Sequence, residues 1–341
     1  MSTEAIPPEV LAAWTLEDAS VVPITHGHIN RTYRVECGVG TFVLQRVAPI
    51  FGAEIHGDIA VVTQRLAARG VPTPRLIETE EGALYLEHDG VWRLMTFAPG
   101  RTHLRVGSPA LARSAAELLA RFHDALADLD YTFQNKRTGI HDTKRHLRTL
   151  SVALSEHSDH VAYDEVAPLA ESLVARLDAL PDVHGFSARP VHGDPKISNV
   201  LFDRSERAHC LVDLDTLGRM SVVLELGDAM RSWCNLANED GEGAEFSQEI
   251  FQASMAGYLG AAGASLPPEE RDPIIDGVET IALELASRFA ADALNESYFG
   301  WDRKRFSRAS EHNLARARNQ VALADSVRKQ RAKLEAVLLS R

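Results

Sequence analysis

Short runs of alternating or clustered β-branched and aromatic residues occupy the first hundred positions of the chain. Residues 20–25 (SVVPIT), 31–36 (RTYRVE) and 41–47 (TFVLQRV) read as strands, with turns at Gly27 and at Gly38-Val39-Gly40. Residues 83–90 (ALYLEHDG) and 91–97 (VWRLMTF), joined through Asp89-Gly90, read as a hairpin. Within residues 57–70, Ile59, Val62, Leu66 and Ala67 fall on one face of a helix. Strands broken by one helix predict a small α+β lobe over residues 1–97.

Beyond Phe97 the periodicity changes. Ala98-Pro99-Gly100 is a short breaker, and Ser108-Pro109 supplies an N-cap and a first-turn proline. The helix they open carries Leu111, Ala115, Leu118, Leu119, Phe122 and Leu126 as one apolar stripe. Further helices are predicted at 161–180, 243–262, 273–295 and 311–339. The one strand-like interruption is residues 191–218, and no internal repeat is visible. The fold class expected is α+β and two-lobed, with a small β-rich N-terminal lobe and a larger, mainly helical C-terminal lobe over residues 98–341.

Composition narrows the function. The 341 residues are 45% hydrophobic, enough to fill a sizeable core, and the formal charge of −12 argues against a nucleic-acid partner. Cys37, Cys210 and Cys234 have no C-x-x-C spacing, so neither a disulfide framework nor a zinc site is indicated. The N-terminal MSTEAIPPEVLAAW is not a secretory signal, and no stretch approaches the roughly 20 apolar residues that span a bilayer. A cytoplasmic protein without a membrane partner is expected. Arg328, Lys329, Arg331 and Lys333 read as a solvated helix face, in keeping with a monomer or weak homodimer.

The interruption itself, VHGDPKISNVLFDRSERAHCLVDLDTLG, gathers His192, Asp194, Lys196, Asn199, Asp213 and Asp215 between apolar runs. It is either a solvated hairpin or a site for a metal and a transferable charged group. Phosphoryl transfer needs a carboxylate that orients the acceptor hydroxyl, oxygen ligands for a metal, and positive charge on the migrating group. Asp194 suits the first task, Asn199 and Asp213 the second, and Lys196 the third. Asp215, two residues beyond Asp213, would share its face on an extended strand and reach a second metal. Upstream, the I-T-H-G-H-I-N-R-T-Y segment occupies the place of a phosphate-covering loop, where His28 and Asn30 either face substrate or are ordinary turn residues.

Several ordered motifs carry a resemblance to a known family: GHINRTY (27–33), FVLQR (42–46), HGDPKISN (192–199), VDLDT (212–216), GDAMR (227–231), SRFAAD (287–292) and EHNLARARNQ (311–320). The chain resembles the aminoglycoside phosphotransferase and choline kinase superfamily, which has a protein-kinase-like fold, and within it the bacterial N-acetylhexosamine 1-kinases. The resemblance implies ATP as donor, Mg2+ as metal, and adenine bound near Met95, Thr96 and Phe97. It implies as acceptor the anomeric hydroxyl of an N-acetylated hexose, with His28, Asp194, Arg288 and Tyr298 matching positions that touch the sugar. It further implies that Asp228 supports the catalytic-loop backbone.

One position departs from the family. The third-strand lysine or arginine that normally holds the phosphates is Gln45 here, followed by Arg46 on the opposite face. Asp58 is the candidate for the partner that such a lysine would have had. Two other readings remain open. An amino-alcohol or aminoglycoside kinase would use Glu284, Asp292, Glu296, Tyr298 and Trp301 around a cationic acceptor, although Arg288 among them counts against it. A nucleotide-binding pseudokinase would explain Gln45, but not the full set of Asp194, Asn199 and Asp213.

Overall fold

The computed structural model describes residues 6–24, 30–135, 141–237, 239–241, 243–261 and 266–339. A short helix α1 (Pro8–Ala12) precedes strands β1 (Ser20–Ile24), β2 (Arg31–Cys37) and β3 (Gly40–Val47). Helix α2 (Ile55–Ala68) then leads into β4 (Leu76–Ile77), β5 (Leu86–Glu87) and β6 (Val91–Thr96). The sheet order is β1-β2-β3-β6-β4, with β5 also on β6, and every pair is antiparallel.

Strand alternation decides which face each side chain takes. Leu44, Trp92 and Leu94 pack with Val10, Trp14 and Leu16 on one side. On the other, Val47 and Met95 join Ile55, Ile59 and Val62 of α2 in a cluster that continues into the helical part through Leu118, Phe122 and Trp233. Gln45 and Arg93, each two residues from a member of that second set, therefore share the face turned toward the helical part.

That larger part comprises α3 (Pro109–Leu126), α4 (Thr143–Glu156), α5 (Tyr163–Asp178), α6 (Val222–Trp233), α7 (Gln248–Ala261), α8 (Pro268–Arg271), α9 (Ile274–Asn295) and α10 (Ala309–Leu339). Ser108 Oγ accepts the Leu111 amide at 3.2 Å, which is the N-cap expected for α3. Helix α4 was not expected. Only Leu150 and Ala153 of it are buried, too few to mark a stripe in the sequence. No helix among the described residues is long and apolar enough to cross a membrane.

The interruption at 191–218 is two nested antiparallel pairs. Strand β7 (Ala188–Val191) pairs with β10 (Gly218–Ser221), and inside them β8 (Val200–Phe202) pairs with β9 (Ala208–Leu211). This nesting lays residues 192–199 against residues 212–216.

Candidate active site

Backbone and side-chain hydrogen bonds stitch the two polar segments together. The Val212 amide donates to Asn199 O at 2.9 Å, and Thr216 Oγ1 donates to His192 O at 2.9 Å. His192 bridges them as well, with Nδ1 accepting the Asp194 amide at 3.3 Å and Nε2 donating to Val212 O at 3.0 Å. Trp233 Nε1 donates to Pro195 O at 2.8 Å, anchoring the first segment to α6. Gly193 has φ +83° and a Cβ there would lie 2.2 Å from Thr216 O, so the fit of the two segments requires glycine.

Asp194, Lys196, Asn199 and Asp213 come together in this frame. Lys196 Nζ donates to Asp194 Oδ2, and Asn199 Nδ2 donates to Asp194 O at 2.9 Å and Oδ2 at 3.2 Å. Burial would raise Asp194, yet the adjacent Lys196 ammonium holds it below the usual carboxylate range. For Lys196, burial works to lower the pKa, and Asp194 and Asp213 together drive it upward. Both groups are thus kept charged.

Asp213 stands apart from that pairing. Its carboxylate accepts no hydrogen bond among the described residues, and its backbone is left-handed with φ 66°. Burial and the neighbouring Asp215 push it up to about 6, against the pull of Lys196. Among the described residues no group of three or more His, Cys, Asp or Glu is set to hold a metal. The Asp213 carboxylate and the Asn199 side-chain oxygen, neither accepting a hydrogen bond among the described residues, suit instead a hard cation that takes its remaining ligands from phosphate and water. The residues present fit a hard divalent cation.

Asp215 differs from its expected place. Residues 214–216 form a tight 3-10 turn and not an extended strand, so Asp213 and Asp215 do not share a strand face. Both Asp215 oxygens are taken by the small lobe: Arg93 Nη1 donates to Oδ1, and Asn30 Nδ2 donates to Oδ2 at 2.6 Å. Asn30 Oδ1 accepts the Ala48 amide at 2.9 Å, so this side chain braces Asp215 against the end of β3. His28 lies outside the described residues.

The other candidates are placed as follows. Gln45 Nε2 donates to Thr32 Oγ1 at 3.1 Å and its Oε1 accepts Arg93. Arg46 points to the opposite face, where it bonds Asp89. Met95 is buried in the sheet, while Thr96 exchanges two hydrogen bonds of 2.9 Å with Arg75, and the Phe97 ring lies under the Arg34 guanidinium. Arg288 of α9 lies 6.0 Å from the Tyr298 ring centre and 5.6 Å from that of Phe299. No hydrogen bond or ion pair among the described residues links Arg288 or Tyr298 to Asp194.

Two supporting assignments change. Asp58 accepts from Tyr131 Oη and from the amides of Gln134 and Asn135, all at 2.8 Å, and has no part in the phosphate site. The catalytic-loop backbone is held by Glu225, not Asp228: Glu225 takes the His192 and Gly193 amides, whereas Asp228 pairs with Arg231. Glu225 stands one turn before Asp228 in L-E-L-G-D, a spacing that places both on one helix face and could have flagged it. Arg93 was also missed, because inside V-W-R-L-M-T-F it reads as an outward-facing strand residue.

A two-lobed fold with a carboxylate, a lysine, an asparagine and a second carboxylate nested at the lobe junction defines a kinase-type phosphotransferase. The profile of the phosphotransferase enzyme family matches residues 20–263, and the chain belongs to that family. The crystal structure of an aminoglycoside phosphotransferase from Alicyclobacillus acidocaldarius is similar over 98% of this chain and 98% of its own, at 17% identity and a TM-score of 0.63. An amicoumacin kinase in complex with AMP-PNP and Ca2+ matches over 91% and 89% of the two chains, at 14% identity and a TM-score of 0.62. A choline/ethanolamine kinase family protein from Mesorhizobium loti matches over 94% and 92%, at 16% identity and a TM-score of 0.57. At these identities the likeness is one of fold.

Proposed function

We propose that the protein transfers the γ-phosphoryl group of ATP to a sugar hydroxyl, the anomeric one of an N-acetylhexosamine or related hexose. In this reading residues 1–97 form the nucleotide-binding lobe and residues 98–341 the catalytic and acceptor-binding lobe. The observation that carries it is the meeting of Asp194, Lys196 and Asn199 with Asp213, whose carboxylate accepts no hydrogen bond among the described residues.

Asp194, held ionised by Lys196, orients the acceptor hydroxyl and takes its proton as the oxygen attacks the γ-phosphorus and ADP leaves with the β,γ-bridging oxygen. As that proton arrives, the Lys196 ammonium is free to swing its charge onto the phosphoryl oxygens. Asn199 and Asp213 would hold Mg2+, which supplies charge neutralisation between the phosphates. Thr96 spends its amide and hydroxyl on Arg75, so the adenine edge in this reading meets the backbone just past it, at Phe97.

The acceptor assignment draws support from the carboxylates that a cationic guest would need. Asp292 accepts the Ser297, Tyr298 and Phe299 amides and Asn313 Nδ2, all within 3.0 Å. Glu296 accepts the Ser310 amide at 2.8 Å, and Glu284 accepts His141 Nδ1 at 3.0 Å and Thr143 Oγ1 at 2.9 Å. With all three engaged and Arg288 among them, a neutral polyol is the better match than an ammonium.

ADP release measured over a panel of hexoses, N-acetylhexosamines, choline, ethanolamine and an aminoglycoside tests both halves. Turnover with a hexose, cut by about a thousandfold or more in Asp194→Asn, is the expected result. Turnover with amines alone would replace the acceptor class, and no turnover with any compound would favour a nucleotide-binding module.

A further inference from the structure

An arginine, Arg93, stands on the strand next to Gln45. Thr32, Gln45 and Arg93 stand in register across β2, β3 and β6, and on one face. Gln45 Oε1 accepts both Arg93 Nε at 2.9 Å and Nη2 at 2.7 Å, while Arg93 Nη1 reaches Asp215 Oδ1. A lysine at position 45 would press an ammonium against this guanidinium, whereas a glutamine carbonyl steadies it. The pair Gln45/Arg93 is therefore a coherent exchange of one charge between adjacent strands, about 4.8 Å apart.

The partner of that charge matters as much. Arg93 and Asp215 are each only 1% exposed, and the pair spans the two lobes. Burying two ions is costly, and a hydrophobic pair is often no less stable, so stability alone gives little reason for it. Asp215 follows two residues after Asp213, in the same tight turn, and Asp213 holds a left-handed conformation that needs support. Asn30, just before β2, holds the second Asp215 oxygen and the Ala48 amide after β3. One carboxylate thus joins the sheet, through Arg93 and Asn30, to the turn that carries Asp213.

Resting on the ATP-dependent reading above, we infer that Arg93 is the positioning residue that replaces the third-strand lysine. Through Asp215 it sets the turn that carries Asp213, and it puts a fixed positive charge behind the nucleotide phosphates.

Calorimetric titration with Mg·AMP-PNP and, separately, with adenosine tests this on the full chain. The variants are Arg93→Gln, Arg93→Gln with Asp215→Asn, and Arg93→Gln with Gln45→Lys. The second leaves no unpaired buried charge and keeps the test open if the first does not fold. Loss of Arg93 should weaken Mg·AMP-PNP by about tenfold or more while adenosine stays within about twofold. Gln45→Lys should recover a large part of that loss by returning the charge to β3. Unchanged Mg·AMP-PNP binding in the variants, or equal weakening of both ligands, overturns the inference while leaving the kinase reading intact. A wild-type chain that binds no nucleotide overturns both.

Discussion

Glu225 holds Gly193 from a neighbouring helix: its Oε2 accepts the Gly193 amide at 3.0 Å, and Oε1 accepts the preceding His192 amide at 2.9 Å. Burial alone would push this carboxyl up, but His123, His192 and the backbone donors hold it below the usual carboxylate range. It is a buried anion built into the floor of the loop that presents Asp194. In Glu225→Gln one acceptor becomes an amide donor facing a backbone N–H. We expect a loss of about 1–3 kcal/mol in urea unfolding. Turnover should fall further than the KM for ATP rises, since the adenine end is untouched. An unfolding curve superimposable on wild type would remove Glu225 from this role.

The contact between Gly227 of α6 and Gly277 of α9 invites a second test. A Cβ at Gly227 would lie 2.6 Å from the Gly277 carbonyl carbon, and one at Gly277 would lie 2.6 Å from Val223 O. Since backbone cannot swing aside as a side chain can, either alanine must part the helices. Each of Gly227→Ala and Gly277→Ala is expected to cost about 1–3 kcal/mol. Once one methyl has opened the gap the second finds room, so the double variant should cost less than the sum. Chemical denaturation of the three variants settles it, and strict additivity would contradict a shared contact. Helix α6 carries Glu225 and α9 carries Arg288, so turnover should decline with stability.

How much of this could be read in the chain beforehand depends on the kind of signal each residue leaves. The strands around Val43 and Leu94 and the stripe of α3 follow from period and composition. The cluster of Asp194, Lys196, Asn199 and Asp213 follows from spacing, because short nested hairpins leave little freedom between its two halves. Asp215 was misplaced because a tight 3-10 turn and a strand are alike over three residues. Arg93 left no trace, and Asn30 was read as a substrate or turn residue, since the partner of both is a carboxylate more than a hundred residues away. The polar run 311–320 had no account in sequence terms. In the fold it is interior to α10, where Asn313 bonds Asp292, Arg316 bonds Asp240 and Asn319 bonds Gly241 O. That helix face latches the 239–241 loop and, through Asp292, the turn at 297–299.

Asp292 makes this latch testable. Its two oxygens gather the amides of Ser297, Tyr298 and Phe299, which place the Tyr298 ring beside Arg288. In Asp292→Ala the three amides lose their common acceptor and the turn is free to drift. The KM for the phosphoryl acceptor should rise by about tenfold or more, with the KM for ATP within about twofold of wild type. An equal rise in both would point to general loosening of the helical part.

His56 sets a pH dependence that needs no activity assay. Its ring is fully buried in the first turns of α2, stacked on Tyr85, with Nδ1 donating to Ala53 O at 2.8 Å and Nε2 without a hydrogen-bond partner among the described residues. Burial first, and then the Arg93 guanidinium, bring its pKa down to about 4, against the opposing pull of Ala53 O and the Asp215 carboxylate. The unfolded chain takes up a proton there near pH 6.5, and the folded chain does not until about 4. Between those values the unfolded state binds more protons, so stability rises with pH across the window and is lost as the solution is acidified. The contribution is fully present above about pH 6.5. In His56→Gln the imidazole is gone, although the carboxylates still titrate. Comparing urea unfolding at pH 7 and pH 4.5, wild type should lose about 2–3 kcal/mol more than the variant. Parallel losses would mean that His56 takes its proton without unfolding the contact with Tyr85.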